Sequence, residues 1–75
     1  MNRQRRAKLS AIINAITDLK DRLEEIKDDE EYAVDHTPES LQETDRYLHA
    51  EEAVDNLNDA LDFLSDAIDS MEGAM

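Results

Sequence analysis

The sequence predicts an all-α protein, an antiparallel two-helix hairpin resembling a coiled coil. Two long stretches repeat apolar residues at alternating spacings of three and four, the heptad pattern of packed helices. A short segment with the only proline separates them, and two helices joined by a short connection fold back on each other. One glycine and few aromatic residues argue against a sheet. The 75 residues are expected to form a single domain, residues 1–75.

The first helix is expected from about residue 4 to residue 31. Its predicted seam, the row of side chains that faces the other helix, follows the alternating spacing without a polar interruption. Ile13 lies beside this row and widens the apolar stripe, which makes it a candidate for contact with another copy. The predicted seam consists of Leu9, Ile12, Ile16, Leu19, Leu23 and Ile26.

The connection, about residues 32–44, contains two possible helix starts. Thr37 before Pro38 is typical of an N-cap and first helical residue, and Ser40 with Glu43 matches a capping box. Either the second helix runs continuously from Pro38, or a short helix precedes a long one that starts near Thr44. The sequence leaves both alternatives open.

The second long helix is expected over about residues 45–72. Ala53, Ala60 and Ala67 stand directly before seam residues and broaden its apolar face. Because one hairpin of this size has little core, we expect two hairpins to join as a dimeric four-helix bundle, or to form a larger oligomer. With Ile13, these alanines are the oligomer-interface candidates. The predicted second seam is Tyr47, Ala50, Val54, Leu57, Leu61, Leu64, Ile68 and Met71.

Charge is divided unevenly along the chain, whose formal net charge is −12. All basic residues except Arg46 lie within residues 1–27. Antiparallel folding should bring the basic start beside the acidic end of the second helix, since each alone opposes its helix dipole. The expected groups are Arg3, Arg5, Arg6 and Lys8 on one side and Asp66, Asp69 and Glu72 on the other. The overall sign favours a basic protein partner over a membrane or direct nucleic-acid binding.

No pattern indicates an enzyme, a metal site or a cofactor. His36 and His49 lack metal-ligand spacing, cysteine is absent, and no phosphate-binding loop or nucleophile motif occurs. No apolar run is long enough to cross a membrane, and we expect a cytoplasmic protein.

The most suggestive feature is a ladder of aspartates on the second helix, at alternating spacings of four and three. Successive carboxylates rise about 5 Å along the helix axis, which approaches the spacing of phosphates along a nucleic-acid strand. Phe63, an aromatic residue among acids, resembles an interface hot spot. The partner-binding candidates are Asp55, Asp59, Asp62, Phe63 and Asp66, and Asp69 continues the ladder.

The stretches "MNRQRRAKLSAIINAITDLKDRLEEI" and "PESLQETDRYLHAEEAVDNLNDALDFLSDAIDSM" resemble small, acidic helical-hairpin proteins of Firmicutes phages and mobile elements. In size and charge the chain is also similar to phage inhibitors of nucleases and CRISPR effectors. The resemblance implies a helical hairpin that counters host defence. The aspartate ladder adds the hypothesis of a non-enzymatic acidic inhibitor, a nucleic-acid mimic that binds a basic surface of a host or defence protein. The alternative is a structural or adaptor oligomer whose acids only confer solubility. A weaker alternative is nucleic-acid binding through the basic N-terminal residues.

Overall fold

A computed structural model describes all residues, 1–75, as two long helices that pack against each other. Helix α1 spans Arg3–Asp35, a 3-10 helix spans Glu39–Leu41, and helix α2 spans Asp45–Gly73. The hairpin is slender, with Cα extents of 59 × 15 × 13 Å. The predicted all-α hairpin is confirmed.

Side chains and backbone groups cap both helices. Asn2 accepts a hydrogen bond from the Arg5 N–H at 2.8 Å and begins α1. At the other end of α1 the His36 N–H donates to the Tyr32 carbonyl, and the two rings stack at 3.8 Å. These contacts extend α1 four residues beyond the end expected from the sequence.

The connection interrupts the second helical segment. Pro38 is extended (φ −58°, ψ 143°), the 3-10 turn follows, and α2 starts only after Thr44, whose hydroxyl accepts from the Tyr47 N–H at 3.3 Å. A helix running continuously from Pro38 is therefore not formed. Thr37 is not the N-cap that was expected, because its hydroxyl donates backward to the Ala33 carbonyl at 2.8 Å.

The α2 seam is the one that the sequence predicts. Its members, Tyr47 through Met71 at alternating spacings of three and four, are half-buried, and Leu61 is buried with 9% of its surface exposed. Ala53 and Ala60 beside this row are also half-buried, whereas Ala67 is exposed. Each aliphatic side chain of this row therefore contributes to the contact with α1.

The α1 seam differs from the prediction at every second position. Ile12, Leu19 and Ile26 are 50%, 56% and 59% exposed, so the pairing expected for them with α2 was wrong. The residue following each one takes its place, starting with Ile13, which is only 8% exposed. The observed seam is Leu9, Ile13, Ile16, Lys20, Leu23, Lys27, Glu30, Val34 and Thr37.

The two possible α1 rows share three residues, which explains the error. Leu9, Ile16 and Leu23 belong to both, and adjacent residues point only about 100° apart around a helix. The observed row continues to Val34, near the connection. It also lays the aliphatic stems of two lysines along α2, which is compatible with solvated ammonium groups. Apolar spacing alone therefore cannot determine the rotation of α1.

Candidate protein-interaction surface

The rotation of α1 exposes a row of apolar side chains along one side of the hairpin. We define this apolar flank as the apolar residues that directly precede every second seam position, starting with Ile12 on α1 and with Ala53 on α2. At the loop end, Ala33 and Arg46 line one open groove with Val34 and Leu41, which places the two helical rows on the same side. The apolar flank consists of Ile12, Leu19, Ile26 and Ala33 on α1, and Ala53, Ala60 and Ala67 on α2.

The opposite side, the polar flank, carries charged and hydroxyl groups. Its central part is a shallow cleft of about 240 Å³. Lys27 dominates this region: its ammonium group lies 2.8 Å from Asp28 and 3.2 Å from Glu31, and its side chain is 15% exposed. The hydrogen bonds to Asp28 and then to Glu31 raise the Lys27 pKa above its ordinary value. The cleft is lined by Lys20, Glu24, Lys27, Asn58, Leu61, Asp62 and Ser65.

The predicted aspartate ladder forms a continuous acidic face on the outer side of α2. Each of its members is exposed, and none makes an ion pair, since the only ion pairs of the structure are those of Lys27. We use acidic face for Asp55, Asp59, Asp62, Asp66 and Asp69. Asp62 also borders the polar cleft, which Lys20 and Lys27 line as well.

The hairpin places the basic N-terminal residues at the same end as the acidic end of α2, but the expected compensating ion pairs are not formed. No ion pair joins them to Asp66, Asp69 or Glu72, and all four bases are exposed. Arg6 instead donates from Nε to the Met1 carbonyl at 3.0 Å. Both the basic start and the acidic face are thus left without a partner inside the chain.

Of the candidate residues, Ile13 lies elsewhere than the sequence indicated, whereas Phe63 is exposed as expected. Ile13, expected beside the seam, lies in it, and Ile12 occupies the flank position. Phe63 is 71% exposed and borders two surfaces. It follows Ala60 by three residues and Asp59 by four, so it lies between the apolar flank and the acidic face. The exposure of Ile12, Leu19 and Ile26 was not predicted. The one indication of it in the sequence is the second possible heptad row of α1, the row that contains Ile13.

The loop end holds a second open groove, of about 600 Å³, lined partly by Val34, Leu41 and Tyr47. Partial burial raises the pKa of the Tyr47 hydroxyl, and the carboxylates of Glu51 and Asp35 raise it further. No group of three or more carboxylate or imidazole side chains is close enough to hold a metal ion. Neither helix is sufficiently long and apolar to span a membrane.

Comparison of the chain with protein-family models, with curated proteins and with solved structures finds no match.

Proposed function

We propose that the chain is a non-enzymatic protein-interaction module whose acidic face binds a basic surface of another protein. The observation that carries this proposal is the acidic face itself, whose carboxylates are exposed and unpaired along α2. Uncompensated like charges repel each other and destabilise the folded chain. A basic partner relieves that repulsion, so the charge pattern favours binding to one.

The spacing of the carboxylates supports a basic surface that ordinarily holds nucleic acid. From Asp55 to Asp69 the face extends about 21 Å, at 1.5 Å per residue. Its charges follow one another about every 5 Å, against about 3.4 Å of axis for one strand of duplex DNA. A groove that positions lysines and arginines for a phosphate backbone can therefore meet several aspartates at once. The proposed partner is a nucleic-acid-binding or nuclease protein, which a phage-derived inhibitor of host defence would target.

The charge distribution also favours rapid and selective encounter with such a partner. Arg46 is the only basic residue from residue 28 onward, so the loop end is predominantly negative and the outer side of α2 carries only acidic charges. A field of one sign accelerates association with an oppositely charged surface and repels acidic competitors. Membranes and nucleic acids, which are themselves anionic, are disfavoured by the same field.

Affinity capture tests the proposal. The immobilised chain is incubated with a bacterial lysate at low salt, and bound proteins are then eluted either with duplex DNA or with increasing NaCl. Proteins that bind through a nucleic-acid groove should leave with DNA, and salt should release them steeply because surface charges are screened. Recovered proteins that resist both DNA and salt, or that have no basic surface, would contradict the proposal.

A second candidate, a structural or adaptor module whose acids confer only solubility, is favoured by the exposed apolar flank. An adaptor of this kind binds through apolar contacts, which salt does not weaken. Replacement of Asp55, Asp62 and Asp69 by asparagine separates the two functions. The proposed inhibitor loses its DNA-displaceable partners, whereas an adaptor keeps all of its partners.

A further inference from the structure

The apolar flank is a row of large apolar side chains that the hairpin does not cover. Ile12, Leu19 and Ile26 recur every seven residues and each exposes half of its surface or more. Only two residues of the entire chain are buried, which is a small core for 75 residues. A contiguous apolar stripe of this length on a helical hairpin is typical of an interface.

The apolar flank carries fewer acidic residues than the other surfaces of the hairpin. Asp29 is the only acidic residue beside the α1 row of the flank, and Glu30 lines the groove at the same loop end. At the opposite, open end of the hairpin the flank begins with Arg5 and Lys8, which make no ion pair. Two further bases lie beside the rows of the flank, at its middle and at its loop end: Arg22 and Arg46. Along the α1 row itself, the flank is therefore basic at the open end and acidic at the loop end, with large apolar side chains between.

We infer that a second copy of this chain covers the apolar flank, forming a homodimeric four-helix bundle with the two loop ends at opposite ends. In this arrangement the basic open end of each copy meets the acidic loop end of the other. In the reverse arrangement, with both loop ends together, the α1 row of each copy would face the α2 row of the other, and the two ends of the α1 rows would not meet. The flank therefore carries the complement of its own charge pattern, as a twofold-symmetric interface requires.

The antiparallel dimer also accounts for the large side chains on the α1 row of the flank and the small ones on its α2 row. With antiparallel copies, the α1 rows face each other and the α2 rows face each other. Leu19, at the middle of its row, lies near the twofold axis, with Ile12 of one copy toward Ile26 of the other. Ala53, Ala60 and Ala67 lack bulk, so the α2 helices can approach closely, and Phe63 at the edge covers the contact.

The flank is also large enough for a stable dimer. It follows a hairpin with Cα extents of 59 Å in length and 15 Å in width. Stable interfaces bury roughly 800 Å² per partner, which a surface of these dimensions can provide. The dimer is tested by its mass, whereas the proposed function is tested by partner capture with substitutions of Asp55, Asp62 and Asp69, so the failure of one is distinguishable from the failure of the other.

Sedimentation equilibrium of the intact chain at micromolar concentration tests the dimer. We expect a mass twice the 8.6 kDa of one chain. A mass of one chain, or of more than two, would overturn the inference.

A pair of variants tests whether the apolar flank forms the dimer contact. The double substitution Leu19→Glu and Ile26→Glu should halve the mass while helicity by circular dichroism is kept, because both side chains are already exposed in the single hairpin. The control, Ala11→Glu with Asn14→Glu, makes the same change of charge at exposed α1 positions away from the flank and should remain dimeric. Equal effects of both variants, or a first variant that remains dimeric, would overturn the assignment to this flank.

The absence of cysteine allows the orientation to be measured with a single label. Ser40→Cys, in the 3-10 turn, carries a spin label for distance measurement between the two copies of the dimer. Loop ends at opposite ends predict a separation comparable to the 59 Å length of the hairpin. A short distance between the labels would contradict the antiparallel arrangement.

Discussion

The two flanks of the hairpin are built from the same pair of helices, yet their chemistry is opposite. The apolar flank presents Ile12, Leu19 and Ile26 to solvent, while the polar flank holds Lys20 and Lys27 against α2. One antiparallel contact can bury only one row per helix, and α1 has more apolar residues than this row needs. The difference shows that the apolar content of α1 exceeds the requirement of the hairpin. The excess lies on the side without clustered acids.

The largest predicted effect compares two adjacent isoleucines that differ only in the row to which they belong. Ile13→Ala should destabilise the hairpin by about 2–4 kcal/mol, because a nearly buried side chain is lost from the seam. Ile12→Ala should cost well under half as much, since that side chain is half exposed. Urea denaturation, extrapolated to low protein concentration so that self-association makes no contribution, measures both.

Equal losses for the two isoleucine variants would show that α1 is not rotated as described. A larger loss for Ile12→Ala would restore the seam expected from the sequence and remove the apolar flank. The distinction between the flanks thus depends directly on this pair.

A smaller effect is expected at the loop end, where both flanks begin. Thr44→Ala removes the side-chain cap of α2 and should cost about 1 kcal/mol. Thr37→Ala removes a hydroxyl that only donates to Ala33 and should cost a few tenths of a kcal/mol. Thermal unfolding of the two variants provides the comparison. If Thr37→Ala proves the more harmful, α2 starts earlier than Asp45 and the connection is different.

Alkaline pH should lower the stability of the hairpin through Lys27 and Tyr47. The loss should be smaller than that of Thr44→Ala, because both side chains are close to solvent. The pKa of Lys27, on the polar flank, is raised by its bonds to Asp28 and Glu31, and the pKa of Tyr47, in the loop-end groove, is raised by partial burial. In both cases the folded chain holds the proton more tightly than the unfolded chain. The stabilisation is therefore complete below the unfolded-state pKa, at about pH 10, and is lost as the pH rises through the folded-state pKa.

Urea midpoints measured between pH 7 and pH 11.5 check this dependence. The variant Lys27→Met with Tyr47→Phe lacks both groups and should lose less stability than the unmodified chain over the same interval. An identical decline in the variant would refute the assignment to these side chains.

The smallest predicted effect has opposite signs for folding and for binding. Raising NaCl screens the repulsion among carboxylates in a chain of net charge −12. The free energy of unfolding should therefore increase by a few tenths of a kcal/mol, and the melting temperature should rise slightly. The same salt should release partners of the acidic face. Parallel melting and capture experiments measure both. Binding that strengthens with salt would assign the partners to the apolar flank.

Much of the architecture follows from the sequence, but the rotation of α1 about its axis does not. The α2 seam was predicted correctly, because its row of aliphatic residues has no equally apolar competitor beside it. For α1, Ile12 and Ile13 offer two rows that share every second member, and the choice depends on how the connection and α2 fit together. The N-cap predicted at Thr37 was wrong for a similar reason. Thr-Pro is a favourable helix start, but α2 begins only at Asp45, after the connection. The exposure of the acidic face was predictable from its spacing.

The most direct test of the proposed function compares two variants of equal charge in the same capture experiment. One replaces Asp55, Asp62 and Asp69 on α2 by asparagine. The other replaces three exposed acids of α1, with Asp18→Asn, Asp21→Asn and Glu25→Gln. We predict that the α2 variant loses the partners that duplex DNA displaces from the unmodified chain, while the α1 variant retains them. Retention of these partners by the α2 variant, or their equal loss from both, would contradict a specific role for the acidic face.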